Sequence, residues 1–160
     1  MKFTLNINNV TKTFDLEADI KLIDVLRKEN LVSVKSFCQK GICSCCSVLV
    51  DDKVIPSCIP LAASLSNNKI VTLEYFMQSL DYIDIKKAFI SKKVNMCGYC
   101  NTGKILGAYE IIKNNLRPSK DEIKKYTSVF KCQCTEEDSL INAIQVAATL
   151  RRERIGVIQN

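Results

Sequence analysis

Phe37-Cys38-Gln39-Lys40-Gly41-Ile42-Cys43-Ser44-Cys45-Cys46-Ser47 is the stretch on which the reading of the whole chain turns. Its cysteines at 38, 43 and 46 are spaced C-x4-C-x2-C, and Cys58 follows after eleven intervening residues. Three thiols thus come from one tight loop, and a fourth from farther along the chain completes a set of four. Gly41 lies inside the loop, where the backbone must bend sharply and positive φ is expected. The amides of such a loop would face a group bound by the thiols and stabilise its negative charge. Cys45 is surplus to the pattern. It reads as a buried small apolar residue, the usual behaviour of free cysteine; the other reading is a substitute ligand, since thiolate character alone decides ligation.

This is the spacing of plant-type 2Fe–2S proteins. Two irons bridged by two sulfides need four thiolates, and Cys38, Cys43, Cys46 and Cys58 supply them. Zinc is the competing metal, but structural zinc sites usually come as two short C-x2-4-C knuckles, which a three-cysteine loop with one distant partner fits poorly. Disulfides are the other alternative. The start of the chain, Met1-Lys2-Phe3-Thr4-Leu5-Asn6-Ile7, alternates apolar and polar residues and does not read as a signal peptide. No apolar run approaches the roughly 20 residues that span a bilayer. A cytoplasmic location and no membrane partner are therefore expected, and a cytoplasmic chain this rich in cysteine binds metal rather than building disulfides.

The 160 residues allow one domain or two small ones. With 47% hydrophobic and 25% charged residues, the chain has enough apolar material for a real core. Nine cysteines and no histidine exclude Cys2His2 zinc, histidine-ligated haem, Rieske ligation and Ser-His-Asp chemistry together. The net charge of +6 raises the question of nucleic acid. The lysines are scattered, however, and each oxidised 2Fe–2S cluster with its thiolates brings about −2, so two clusters leave about +2. No nucleic-acid partner is expected. None of the five glycines stands in a G-x-G-x-x-G run, which removes the nucleotide fingerprint of an independent dehydrogenase.

Lys2 to Asn8 reads as a strand with Phe3, Leu5 and Ile7 on one face, Asn8-Asn9 as a tight turn, and Val10 to Leu16 as the returning strand, with Val10, Phe14 and Leu16 in phase. Asp19 is the expected N-cap of a helix carrying Leu22, Val25 and Leu26 and fading near Asn30. After the cysteine loop, Ser47 to Val50 reads as a strand, Asp51-Asp52-Lys53 as a hairpin turn, and Val54 to Ser57 as the return that delivers Cys58, with Pro56 marking an edge. Ile70 to Leu73 offers one more strand. The pattern predicts a compact α+β sheet with one helix across it. Around Glu74 to Ser79 the apolar period turns helical. Ile83 through Phe89 is one helix candidate, and Ile105, Tyr109, Ile112 and Leu116 form a clean stripe for a second. Ser119 with Glu122 makes a capping box for a third that carries Ile123, Tyr126 and Phe130. Leu140, Ile144, Ala147 and Ala148 mark a fourth, ending near Arg151, with Arg151, Arg152 and Arg154 at a solvated helix end. Four helices in this half predict a small bundle. The expected division is residues 1–76 and 77–160.

A second cysteine set lies in the helical half. Cys97-Gly98-Tyr99-Cys100 is C-x2-C, and Cys132-Gln133-Cys134 is C-x-C, after a gap of 31 residues. The first pair sits just before a helix and the second between two helices, so a bundle can close four thiolates around one centre. On ligand chemistry alone a 2Fe–2S cluster, a zinc ion and a redox dithiol all remain open, with C-x-C unusual for zinc.

With all eight cysteines read, the chain resembles the small iron–sulfur subunit of molybdenum hydroxylases, the group that includes xanthine dehydrogenase, aldehyde oxidoreductase and aerobic carbon monoxide dehydrogenase. The resemblance covers nearly the whole length. It implies an N-terminal β-grasp, ferredoxin-like domain followed by an all-α four-helix-bundle domain, each with one 2Fe–2S cluster: the first on Cys38, Cys43, Cys46 and Cys58, the second on Cys97, Cys100, Cys132 and Cys134. It also implies two partners, a large subunit that binds molybdopterin and a medium subunit that binds FAD. Electrons would pass from the molybdenum centre to the second set, then to the first, then to FAD. The chain would thus be the electron-transfer subunit of an oxidoreductase, with no catalytic residues or substrate site of its own. The surroundings depart from the family's pattern. Met96 stands where Gln is usual, Asn101-Thr102-Gly103 where Thr-Pro-Gly is usual, Gln133 where Arg is usual, Glu136-Glu137 where Gly-Tyr often follows, Ser44 where Gly is usual, and Cys45 where Ala is common. These departures keep a second reading in view, a repurposed two-cluster carrier serving a different oxidoreductase.

Overall fold

The computed structural model describes residues 1–128 and 134–158. Strands β1 (Lys2–Ile7) and β2 (Val10–Asp15) form an antiparallel hairpin across Asn8-Asn9, whose φ values of 55° and 64° give the two left-handed residues of a tight hairpin turn. Strands β3 (Ser47–Val50) and β4 (Lys53–Pro56) form a second hairpin across Asp51-Asp52, with φ of 48° and 66°. Strand β5 (Lys69–Val71) runs parallel to β1 and antiparallel to β3, giving the order β2-β1-β5-β3-β4. Pro56 therefore lies on the edge strand β4, as expected, where its missing N–H is tolerated. Helix α1 (Leu22–Lys28) buries Leu22, Ile23, Val25 and Leu26 in one core with Phe3, Leu5, Ile7 and Ile70.

The remaining helices are α2 (Leu73–Phe76), a single turn, then α3 (Leu80–Ser91), α4 (Asn101–Asn114), α5 (Lys120–Thr127) and α6 (Glu137–Ile158). They enclose a second core that includes Ile85, Phe89, Leu106, Ile112, Ile123 and Ile144. All four residues of β3 are buried. Alternation along the strand sends Val48 and Val50 into the sheet core and Leu49 into the helical core, so β3 is common to both. The whole is an α+β fold, a ferredoxin-like sheet followed by a helical bundle.

Several local expectations give way. Asp19 is not the N-cap: helix α1 starts after Lys21, whose side chain makes no cap hydrogen bond, because residues 17–20 close a turn of their own (Ile20 N to Glu17 O, 3.3 Å). Val10 is 53% exposed, since it opens the edge strand beyond the reach of the core. Strand β5 ends at Val71, and Leu73 begins α2. Leu116 lies past the end of α4. The capping box of α5 is present in full, but α5 ends at Thr127, and Phe130 lies outside the described residues. Helix α6 does not stop near Arg151 but continues to Ile158. Its arginines are not a solvated end: Arg151 pairs with Asp81 at 2.9 Å, and Arg154 pairs with Asp84 at 2.7 Å and also with Asp81. These charges answer carboxylates on α3, which lets the last turns of α6 stay packed.

Candidate metal centres

The loop between α1 and β3 carries the first cysteines. Within its cysteine-bearing stretch, residues 38–46, three residues take left-handed backbone: Gln39 (φ 53°), Gly41 (φ 72°) and Ser44 (φ 57°). Gly41 matches the expectation of positive φ, and a Cβ there would also lie 3.0 Å from the Ile59 side chain. Ser44 adopts, with a side chain, a conformation that glycine takes more readily. These bends turn amides inward. The Lys40 N–H donates to the Cys38 sulfur at 3.3 Å, and it is the main reason the Cys38 thiol is lowered to about 6, with the Cys43 side chain and the Ile42 and Cys43 amides adding to it against the opposing effect of burial. Cys38 thus pairs with Cys43. Cys58, which follows β4, pairs with Cys46, and its thiol is pushed up to about 11, first by burial and then by that neighbour. Ser57 fixes this second pair by donating from its hydroxyl and its N–H to the Cys46 carbonyl at 2.7 and 3.1 Å.

Cys45 is 2% exposed, and its thiol donates to the Cys43 carbonyl at 3.5 Å. Burial first, then Cys43, Cys100 and Cys46, pushes it up to about 12, the behaviour of an inert structural thiol.

The second set is built around the start of α4. Cys100 occupies the N-cap position, and Gly98, at φ 90°, makes the bend between it and Cys97. The Cys97 thiol is held below its ordinary value, chiefly by the Tyr99 N–H and next by the Cys134 side chain. Cys97 and Cys134 are therefore neighbours across the 31-residue gap in sequence. Cys132 lies outside the described residues. The buried Lys104, one helical turn into α4, donates to the Asn95 carbonyl at 2.7 Å, the Thr135 hydroxyl at 2.6 Å and the Cys134 sulfur at 3.5 Å. Sequence reasoning missed it. The signal was available: Lys104, Ala108 and Ile112 share one face at helical spacing, which marks 104 as a core position.

The two sets are brought together. A Cβ on Gly103 would lie 2.4 Å from the Ser44 Cβ and 2.9 Å from its carbonyl oxygen, so helix α4 touches the first loop where it lacks a side chain. Around this contact, Thr102 donates to the Ser33 carbonyl at 3.2 Å, Phe37 and Tyr99 meet edge to face at 5.2 Å, and Lys35 donates to the Gly98 carbonyl. Farther along α4, Glu110 accepts from the Val54 N–H at 3.0 Å and from the Tyr126 hydroxyl at 2.6 Å, tying both halves to one carboxylate. Met96 packs at the margin of the helical core and lines an apolar groove of about 350 Å³ with Leu73, Met77, Tyr82 and Phe89.

The residues fit two 2Fe–2S groups. The donors are all sulfur in a chain without histidine, and in the first set, three from the loop and Cys58 from beyond β4, they fall into two pairs, as two irons taking two thiolates each require.

The comparisons agree. Residues 5–70 match the domain described as a 2Fe-2S iron-sulfur cluster binding domain, and residues 72–145 the one described as a 2Fe-2S binding domain. The nicotinate dehydrogenase small FeS subunit of Eubacterium barkeri is 30% identical over 144 residues, covering 89% of this chain and 92% of that one. The aldehyde oxidoreductase of Megalodesulfovibrio gigas is 28% identical over 150 residues, which are 91% of this chain but only 16% of that protein. Among solved structures, quinoline 2-oxidoreductase from Pseudomonas putida 86 superposes with a TM-score of 0.84 at 29% identity, covering 96% of both chains. The chain belongs to the family of small iron–sulfur subunits of molybdenum hydroxylases.

Proposed function

We propose that this chain is the electron-relay subunit of a molybdenum hydroxylase complex, taking electrons from a molybdopterin-binding large subunit and passing them toward an FAD-binding medium subunit. In this reading Cys38, Cys43, Cys46 and Cys58 hold one 2Fe–2S cluster, Cys97, Cys100, Cys132 and Cys134 hold the other, and residues 1–76 and 77–160 are the two units that carry them. Each cluster, when bound, supplies a site for one electron. The protein supplies position and electrostatics. Lys40, Ile42 and Cys43 aim backbone N–H groups at the Cys38 sulfur and so stabilise negative charge there. Burial of Cys46 and Cys58 keeps water from that side of the first set. The observation that carries the reading is the contact of Gly103 with Ser44, which sets the two cysteine groups against each other across the joint between sheet and bundle. Relatives of similar length are named as small or A subunits of hydroxylases and dehydrogenases, which supports a place in a larger assembly. Among the described residues no helix is long and apolar enough to cross a membrane.

The test is iron and acid-labile sulfide per chain on anaerobically purified protein, with electron paramagnetic resonance after reduction. Four irons, four sulfides and two distinct signals are expected. Cys43→Ser and Cys100→Ser should each remove one signal, whereas Cys45→Ala should keep both, because its buried thiol donates to the Cys43 carbonyl and is held protonated by burial. Unchanged iron in the two serine variants would overturn the ligand assignment. Co-purification of a molybdenum-containing partner separates this reading from a carrier serving another oxidoreductase.

A further inference from the structure

Lys104 is 2% exposed, among the largest fully buried side chains of the molecule. A lysine is almost never buried to this extent unless its charge is met. The acceptors that meet it lie on both arms of the second cysteine set. Asn95 precedes Cys97 by two residues, while Cys134 and Thr135 belong to the other arm. Thr135 also donates to the Asn95 carbonyl at 2.7 Å, which closes a small network around the ammonium. Among the described partners, two of these acceptors are neutral oxygens. Beside them stands a cysteine sulfur.

We propose that Lys104 tunes the reduction potential of the cluster held by the second cysteine set, by keeping a buried positive charge against the Cys134 sulfur. The inference rests on the ligand assignment made above. Reduction adds one electron and takes the formal charge of a four-thiolate 2Fe–2S group from about −2 to about −3. The electron comes from the molybdenum centre in the complex or from a chemical reductant in the test. No bond to the protein forms or breaks, and no proton moves. A fixed cation at hydrogen-bond distance from a ligand sulfur interacts more strongly with the more negative state. Burial keeps solvent from screening that difference. Lys104 therefore raises the potential and makes the second set the better electron acceptor. The first set has no equivalent cation among its described hydrogen-bond donors: the Cys38 sulfur is met by amides.

The experiment is a redox titration of the full chain, purified anaerobically with its iron, followed by electron paramagnetic resonance. It compares wild type with Lys104→Met, Lys104→Gln and Lys104→Arg. The signal lost in Cys100→Ser identifies the second cluster. In Lys104→Met and Lys104→Gln the ratio of reduced to oxidised second cluster at a fixed potential should fall about tenfold, about 59 mV for a one-electron couple. The first cluster should not move, and Lys104→Arg should recover most of the shift. Gln retains a hydrogen-bond donor without the charge, so a Gln variant at the wild-type potential overturns the electrostatic role. So does loss of the second cluster in both the Met and Gln variants, which leaves Lys104 only the structural task of joining the two arms. A wild-type chain with one signal is a different failure, since it removes the second cluster and the ligand assignment with it.

Discussion

Gly103→Ala is the most direct test of how the two halves are held. The added Cβ would stand 2.4 Å from the Ser44 Cβ and 2.9 Å from the Ser44 carbonyl oxygen, whereas ordinary contact begins at 3.4 Å. One of the neighbours is backbone, so rotating a side chain cannot relieve the clash. Either the first loop yields at Ser44, which is already in left-handed backbone, or the start of α4 retreats by about 1 Å and takes Cys100 with it. Overpacking costs about 1–3 kcal/mol, and a Cβ set against backbone that cannot rotate away belongs in the upper part of that range, about 2–3 kcal/mol. Alanine recovers up to ~1 kcal/mol of helix propensity, so the net loss is about 1–2 kcal/mol. For a chain of this size that is a fall in Tm of roughly 2–8 °C. Gly156→Ala is the matched control. It lies in the last turns of α6 with nothing within 4 Å of its Cβ, so the same substitution should be neutral or stabilising by up to about 1 kcal/mol. Thermal melting of the iron-loaded chain, followed by circular dichroism, measures both. The spin coupling between the two reduced clusters reports whether they have moved apart. A Gly103→Ala chain with wild-type Tm and coupling would refute the contact as the element that joins the two sets.

Two other perturbations test parts of the fold around the sites. Arg154→Met leaves Asp84, which is 7% exposed, without its nearest cation. A fully buried pair broken on one side costs 3–5 kcal/mol; the Arg154 side chain is 23% exposed, so about 2–3 kcal/mol is expected, read as a lower denaturation midpoint that Asp84→Asn partly restores. Glu74 contributes to the acid limb of stability, alongside Asp51, Asp52 and Glu122, which are also held below their ordinary values. Burial opposes the Glu74 charge, but the hydroxyl and N–H of Ser33, at 2.6 and 2.7 Å, more than offset this and hold its carboxyl below 4.5. A folded-state value below the unfolded one gives stability that is present above about pH 4.5 and is lost as pH falls through the folded value. Tm measured from pH 6 down to pH 3 should fall less steeply in Glu74→Gln than in wild type, and equal slopes would remove Glu74 from the account.

The parts of the molecule set by neighbouring residues were readable in the sequence. Asn8-Asn9 and Asp51-Asp52 are pairs that tolerate positive φ, and both make the expected turns. Ser119 and Glu122 cap α5 as their spacing predicts. The cysteine spacings pointed to the loop and the helix start that now hold them. The misread parts depend on partners far away in sequence. Arg151 and Arg154 look like a solvated end until Asp81 and Asp84, some 70 residues earlier, are placed opposite them. Asp19 is a good capping residue in the wrong place, because the turn at residues 17–20 delays the helix. Lys104 was passed over because a lysine is read as surface by default, although its face of α4 is otherwise apolar. The sharing of β3 between two cores is equally hidden: four consecutive buried residues announce a central strand but not what covers each face.

The contrast between the two cysteine sets follows from where each is built. The first is folded from a loop, and a loop that bends three times into left-handed backbone has spare amides to turn on its sulfurs. The second is assembled on a helix start, and the helix interior can bring up a side chain from one turn further on, which is how Lys104 reaches Cys134. Amide dipoles and a full charge are different means of stabilising negative charge, and the full charge is the stronger over short distance. On the proposed ligand assignment, a second set made the better acceptor in this way would hold its electron more firmly, and onward transfer to the first set would depend more heavily on proximity. The close approach at Gly103 provides that proximity. The lysine and the glycine are successive residues of one helical turn, so on this proposal the same segment of α4 would both favour arrival of the electron and keep its exit short.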